Sequence, residues 1–400
     1  MKKRVIIILL VTVEICFLFL LTKSFSNREI LKEKIVENKI DKKQFSMFIE
    51  TDNGYVEYIE SNKFPEGYTV NLEESKCLDT KGNVIEGILS GSGTNVTVTS
   101  MITSYCYLYF DLPPITAETL PSIAGNDIWD STLEDDGYRY IGTNPDNYIC
   151  FGTTDQDECT KDTDKYMYRI IGIFEASEGT SHIKLIKKEA LNTTYAWNAN
   201  YKTDVDWKDS DLYKGLNGSY FLTNADYEYM KDTNWNDKLA EWNYTATNTK
   251  THENSGPSYY SSLSMQNIYL HELNRSTKTI DIGEWKEVNA KIGLMYASDY
   301  LLSLGSVVLN YYNVSSSESS LKTGWMHISN NDSGAPIQYE WTVSRYGFNG
   351  YSYGAWCVSS DGHVGHDFVY DAVSVRPVFY LTSDVELSGE GTIGSPYIIS

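Results

Sequence analysis

From Gln44 to Leu112 the chain breaks into short apolar runs separated by turn residues, and that rhythm restricts its fold more than any other feature. The runs are Phe45 to Glu50, Tyr55 to Ile59, Tyr68 to Leu72, Val84 to Leu89, Val96 to Met101 and Tyr105 to Phe110. They alternate in period two and end at turn chemistry such as Asp-Asn-Gly, Lys-Gly-Asn and Gly-Ser-Gly. Residues 44–112 are therefore expected to form a small antiparallel β domain. A unit of about 70 residues has only a modest core, and a bridge between Cys77 and Cys106, suggested by their proximity in sequence, would staple it.

Ahead of this unit, a basic tip at residues 1–4 runs into Val5 to Leu21, which is apolar except for Thr12 and Glu14. At about 1.5 Å per helical residue this run just reaches across a bilayer. Positive charge before it places the N-terminus in the cytoplasm and the bulk of the chain outside. Residues 5–22 are thus expected to be a single-pass transmembrane signal-anchor helix in the cell membrane. Residues 23–43, with Ile30, Leu31, Ile35, Val36 and Ile40 on a charged background, are expected to be a helical stalk. A cleaved signal peptide is the competing reading of the same run. Glu14 is costly in lipid and leaves open a pilin-like or structural assembly built on the first helix.

The charge balance sets the range of partners. With 33 basic against 54 acidic residues the net charge is -21. Counterion release cannot drive so acidic a surface onto nucleic acid. Outside the membrane, Cys150 and Cys159 are expected to pair by proximity, like Cys77 with Cys106. Cys357 lies between Trp356 and Val358 and reads as a buried filler. No Cys-x-x-Cys is present, which argues against a zinc ribbon or a thioredoxin-like redox site.

Pro113, Pro114 and Pro121 interrupt the strand pattern, so residues 113–135 read as a linker or wrapping segment before a unit at 136–400. In that unit Tyr138 to Ile141, Tyr148 to Phe151, Tyr166 to Phe174 and His182 to Lys187 are strand-like, the last two as a hairpin across Glu178-Gly179. Residues 209–242 are richer in helix formers, with Leu212, Leu216 and Phe221 as an inward face.

Several motifs occur in order: YRIIGIF at Tyr168, W-x2-S-x5-LN from Trp207 to Asn217, IGLMYASDY at Ile292, WTVSR at Trp341, AWCV at Ala355 and VRPVFYL at Val375. This set resembles a bacterial exported domain family related to the C-type-lectin and formylglycine-generating-enzyme fold. The resemblance implies an α+β, C-type-lectin-like domain over residues 136–400 and brings no ligand with it. Cys357 stands alone where the oxidase chemistry of that fold needs a cysteine pair. Asn144-Pro145-Asp146 and Trp235-Asn236-Asp237 lie too far apart for the calcium site of sugar-binding lectins. The expected fold class is α+β overall: transmembrane helix and stalk, small β domain, lectin-like domain.

No catalytic constellation emerges. There is no phosphate-binding loop and no Gly-x-Ser-x-Gly elbow, and His271-Glu272 has Arg275 where a zincin needs its second ligand. No cofactor is implied. Asp361, His363, His366 and Asp367 form a candidate metal set in a Gly-containing loop, set against a plain solvated turn. Around them Tyr346, Phe348, Asn349, Tyr351 and Tyr353 have a composition suited to contact surfaces. With Asp361, His363 and His366 they make the expected ligand-binding region, while Trp356 and Tyr370 read as core. Arg345 and Arg376 are expected to pair with buried carboxylates such as Asp299 or to bond backbone carbonyls. The function these features suggest is non-catalytic recognition of an extracellular glycan, peptide or surface protein. The alternatives are a structural assembly protein and a metal-dependent enzyme of the oxidase-related fold.

Overall fold

The computed structural model describes residues 45–51, 54–59, 64–65, 67–92, 95–99, 105–130, 137–176, 179–200, 206–218, 225–247, 272, 285–305, 322–330, 334–348 and 351–400. The expected anchor helix at 5–22 and stalk at 23–43 lie outside them. Among the described residues no helix is long and apolar enough to cross a membrane. The chain divides into two compact units, Met1–Pro113 and Pro114–Ser400.

The first unit contains β1 (Phe45–Ile49), β2 (Val56–Glu57), β3 (Thr69–Leu78), β4 (Leu89–Ser92), β5 (Asn95–Val98) and β6 (Tyr105–Asp111). Four of them form a sheet in the order β2-β1-β6-β3, and β4 pairs with β5 in a hairpin. Alternation in β6 sends Cys106, Leu108 and Phe110 into a core shared with Met47, Val70 and Cys77. On the other face Tyr109 stacks on Phe48 at 4.9 Å. The expectation of a purely antiparallel unit is corrected here: β1 and β6 run parallel, from Phe45 opposite Cys106 to Ile49 opposite Phe110. Period two fixes which side of a strand is buried but not the direction of its neighbour, and the intervening chain is long enough for a crossover. Cys77 and Cys106 are directly opposed across β3 and β6 and are bridged.

The second unit continues with β7 (Ile128–Asp130), β8 (Tyr138–Tyr140), β9 (Tyr148–Cys150), β10 (Met167–Glu175), β11 (Ser181–Lys187), β12 (Tyr195–Ala196), β13 (Trp242–Thr247), β14 (Trp285–Ala290) and β15 (Ile292–Gly293). Then come β16 (Tyr339–Phe348), β17 (Tyr351–Ser359), β18 (Val364–Phe368), β19 (Ala372–Val373), β20 (Val378–Tyr380), β21 (Leu387–Ser388) and β22 (Ile398–Ile399). Its main sheet is antiparallel in the order β15-β20-β11-β10-β8-β7, with β9 also on β10. A three-stranded sheet, β16-β17-β18, stands separately. Within the expected linker, residues 114–130 pack into this unit, burying Ala117 and Leu120.

The α+β expectation gives way to a mostly sheet protein, 40% strand and 18% helix among the described residues. The helix-forming stretch at 209–242 yields the six-residue helix Asp211–Leu216, stopped at Asn217-Gly218, and the four-residue helix Thr233–Asn236. Gly and Asn strongly disfavour a further turn. Phe221, expected on its inward face, lies outside the described residues.

The core is unusual in the charges it encloses. Every residue of β10 except Glu175 is buried, because both faces of that strand are covered. Arg169 donates to Asn147 Oδ1 at 2.7 Å and lies between the rings of Tyr148 and Trp325. Arg376 forks onto Glu340 at 2.6 and 2.9 Å and donates to the Met326 carbonyl. Asp299, expected opposite an arginine, is held by Lys184 instead. Arg345 belongs to β16, and its side chain lies outside the description.

Candidate functional site

The expected ligand-binding residues converge on the sheet β16-β17-β18. Tyr346 pairs with Gly354 and Phe348 with Tyr351, which places their backbones at the end of the hairpin where β16 passes into β17. Tyr353 is in β17. The side chains of Tyr346, Phe348, Tyr351 and Tyr353, and the whole of Asn349, lie outside the described residues.

The candidate metal set does not gather. Asp361 and His363 sit in the turn that joins β17 to β18, whereas His366 and Asp367 follow along β18 opposite Trp356 and Ala355. Consecutive strand residues point to opposite faces, so His366 and Asp367 diverge. Among the described residues no group of three or more His, Cys, Asp or Glu side chains is placed to hold a metal. The turn has a local explanation. His363 Nδ1 lies 2.5 Å from Asp361 Oδ1 and 3.0 Å from Ser359 Oγ, and Ser359 also donates to Asp361. Partial burial pushes the Asp361 carboxyl up, but the Ser359 hydroxyl and His363 outweigh it and hold the group below its ordinary value. Serine, histidine and aspartate in contact suggest a hydrolytic triad, yet both partners address the same ring nitrogen. A relay needs one on each.

What the three-stranded sheet does display is a pair of rings that the sequence reading did not single out. β18 ends in a tight turn in which the Asp371 N–H donates to the Phe368 carbonyl at 2.9 Å. Val369 plunges into the core at 0% exposure, and the Asn198 N–H donates to its carbonyl. With that residue pinned inward, Phe368 and Tyr370 project outward and stack, centroids 5.2 Å apart and planes within 5°. They are 46% and 41% exposed. Tyr370 was expected in the core, and its position is corrected by the alternation about Val369. Trp356 is half-buried, packs against the core and faces exposed His366 across the strands.

Alternation along β18 turns Asp367 to the face opposite the Phe368 ring. The Asp367 carboxylate accepts from the Phe368 N–H at 2.8 Å. Partial burial, and then the neighbouring Asp367 carboxyl, push Asp371 above its ordinary value. Two flat, exposed rings can hold a ligand that has an apolar face.

Elsewhere, a cleft of about 420 Å³ is lined by Asp164, Lys188, Glu189, His327, Ile328, Ser329 and Asn330. Within it Lys188 is paired with Glu189 at 2.6 Å. Asn236, from the Trp-Asn-Asp triplet, is occupied in scaffolding, since Lys291 donates to its side chain and its carbonyl. Cys357 is fully buried, and burial pushes its thiol far above the ordinary range, which suits packing and not nucleophilic attack.

No protein-family model, no curated protein and no solved structure matches this chain.

Proposed function

We propose that this is an exported recognition protein whose second unit binds a neutral carbohydrate on the Phe368/Tyr370 face, without chemical turnover. One observation carries the reading: a stacked, solvent-facing pair of rings on a turn fixed from beneath by a buried valine. Aromatic rings this exposed lose hydrophobic stabilisation unless something covers them. Sugar rings present flat C–H faces to such a stack. A net charge of -21 disfavours anionic polymers and leaves neutral glycans as the matching class. The bridges Cys77–Cys106 and Cys150–Cys159 support a location outside the reducing cytoplasm.

The test is a neutral-glycan array probed with the full chain, followed by titration of the strongest binder against a Phe368→Ala/Tyr370→Ala variant. At about 1 kcal/mol or more per stacked ring, the double variant should bind at least about tenfold more weakly with an unchanged circular dichroism spectrum. Equal affinity in the variant, or no neutral glycan bound by the parent chain, would sink the proposal.

A further inference from the structure

We infer that Lys184 and Asp299 condense into an intramolecular amide bond that ties β11 to the helix Ala297–Leu302. This covalent modification is independent of what the Phe368/Tyr370 face binds.

The pair is sealed from solvent, with both side chains 0% exposed and Lys184 Nζ 2.5 Å from Asp299 Oδ2. Charge-assisted N–H···O contacts usually settle at about 2.7–2.9 Å. The amine sits among the rings of Tyr296, Tyr380 and Phe174, with Nζ 4.6, 5.2 and 5.4 Å from their centroids. Asp299 Oδ2 also accepts the Tyr296 N–H at 2.8 Å, whereas Oδ1 is buried with no hydrogen-bond partner among the described residues. As an ion pair the arrangement encloses two charges and leaves an acceptor unsatisfied, both of which are unfavourable.

Condensation removes each of these defects. One proton passes from the Lys184 ammonium to the Asp299 carboxylate, the resulting neutral amine attacks Cγ of the acid, a C–N bond forms, and the bond from Cγ to the protonated Oδ1 breaks. Oδ1 departs as hydroxyl, takes up the proton that Nζ sheds, and leaves as water. Oδ2 remains as the amide carbonyl and keeps the Tyr296 N–H. No oxidant, reductant or co-reactant is needed. The remaining N–H faces aromatic rings, which are weak acceptors.

Glu272 acts electrostatically on the pair. Its carboxyl is buried at the start of the same helix, where it accepts from the N–H groups of Ala297 and Ser298 at 3.1 and 2.7 Å and from the Ser344 hydroxyl at 2.7 Å. Burial holds this carboxyl above its ordinary range and the Lys184 amine below its own, which favours the neutral forms the reaction uses.

Intact mass of the reduced full chain tests the bond against a Lys184→Gln variant, since the two residues have nearly equal mass. The parent chain should weigh about 18 Da less, one water. Asp299→Asn should lose about 17 Da, as ammonia. Proteolysis of the parent chain should yield one joined peptide carrying both residues, with no cleavage after Lys184. Equal masses for the parent chain and Lys184→Gln, or separate peptides from the parent, would overturn the inference. The peptide map needs only the parent chain, so it decides the matter even where a variant does not fold.

Discussion

Replacing both Cys77 and Cys106 with alanine should unfold the first unit selectively. The bridge spans 29 residues of sequence, and the loss of loop-closure entropy from the denatured chain over that span is worth about 3.6 kcal/mol. The unit's core contains the two cysteines and four other buried apolar side chains, so the loss falls on a small reserve. With a urea m-value of about 1 kcal/mol/M, suited to so small a unit, the midpoint should drop by about 3 M. The two units can be read separately because all 9 Trp lie at position 129 or beyond. Tryptophan fluorescence therefore follows the second unit alone, while far-UV circular dichroism follows both. The variant should show an early circular dichroism transition with the fluorescence transition unmoved. A drop of less than about 1 M, or a fluorescence midpoint that shifts in step, would refute the reasoning from loop length and core size.

Arg376→Met should cost the second unit about 3–5 kcal/mol, because it leaves Glu340 charged, 2% exposed and unpaired. Adding Glu340→Leu should restore most of that loss in urea titrations followed by tryptophan fluorescence. Glu272 has a folded-state pKa raised by burial from the ordinary 4.5, so the stability it contributes is fully present below that value and is lost as pH rises through the folded-state pKa. Glu272→Gln should flatten this part of the stability profile above pH 4.5, while lowering stability overall because an amide cannot accept from two N–H groups with both of its ends. Gly172→Ala would set a methyl group 2.0 Å from the Tyr138 carbonyl oxygen and should destabilise the second unit by about 3 kcal/mol, measured as a lowered fluorescence midpoint.

Several strands were legible from apolar runs, although the run Val84 to Leu89 contributes only Leu89 to β4. The runs beginning at Phe45 and Tyr105, the YRIIGIF segment and the hairpin partner from His182 all became strands. Strand direction was not legible, since alternation in β1 and β6 specifies a buried side and nothing more. Arg376 was expected to meet a buried carboxylate and does so in Glu340, whereas the pairing of Lys184 with Asp299 was hidden. Lys184 in a strand pattern reads as a solvent-facing residue, and its partner Asp299 arrives from 115 positions away. The region of the candidate site could be located from its density of Tyr, Gly and Ser. The outward rings could not, because a Phe-Val-Tyr run reads as core until the turn that buries Val369 alone is known. The acidic and imidazole residues between 361 and 367 look clustered in sequence, but the strand's pleat spreads them over two faces.

The parallel pairing of β1 with β6 sets how the first unit would bear mechanical load. Tension applied ahead of Phe45 and beyond Asp111 pulls these adjacent strands lengthwise in opposite directions. Their hydrogen bonds are then sheared together instead of being unzipped one after another. The unit is thereby built to stay closed when stretched along the chain.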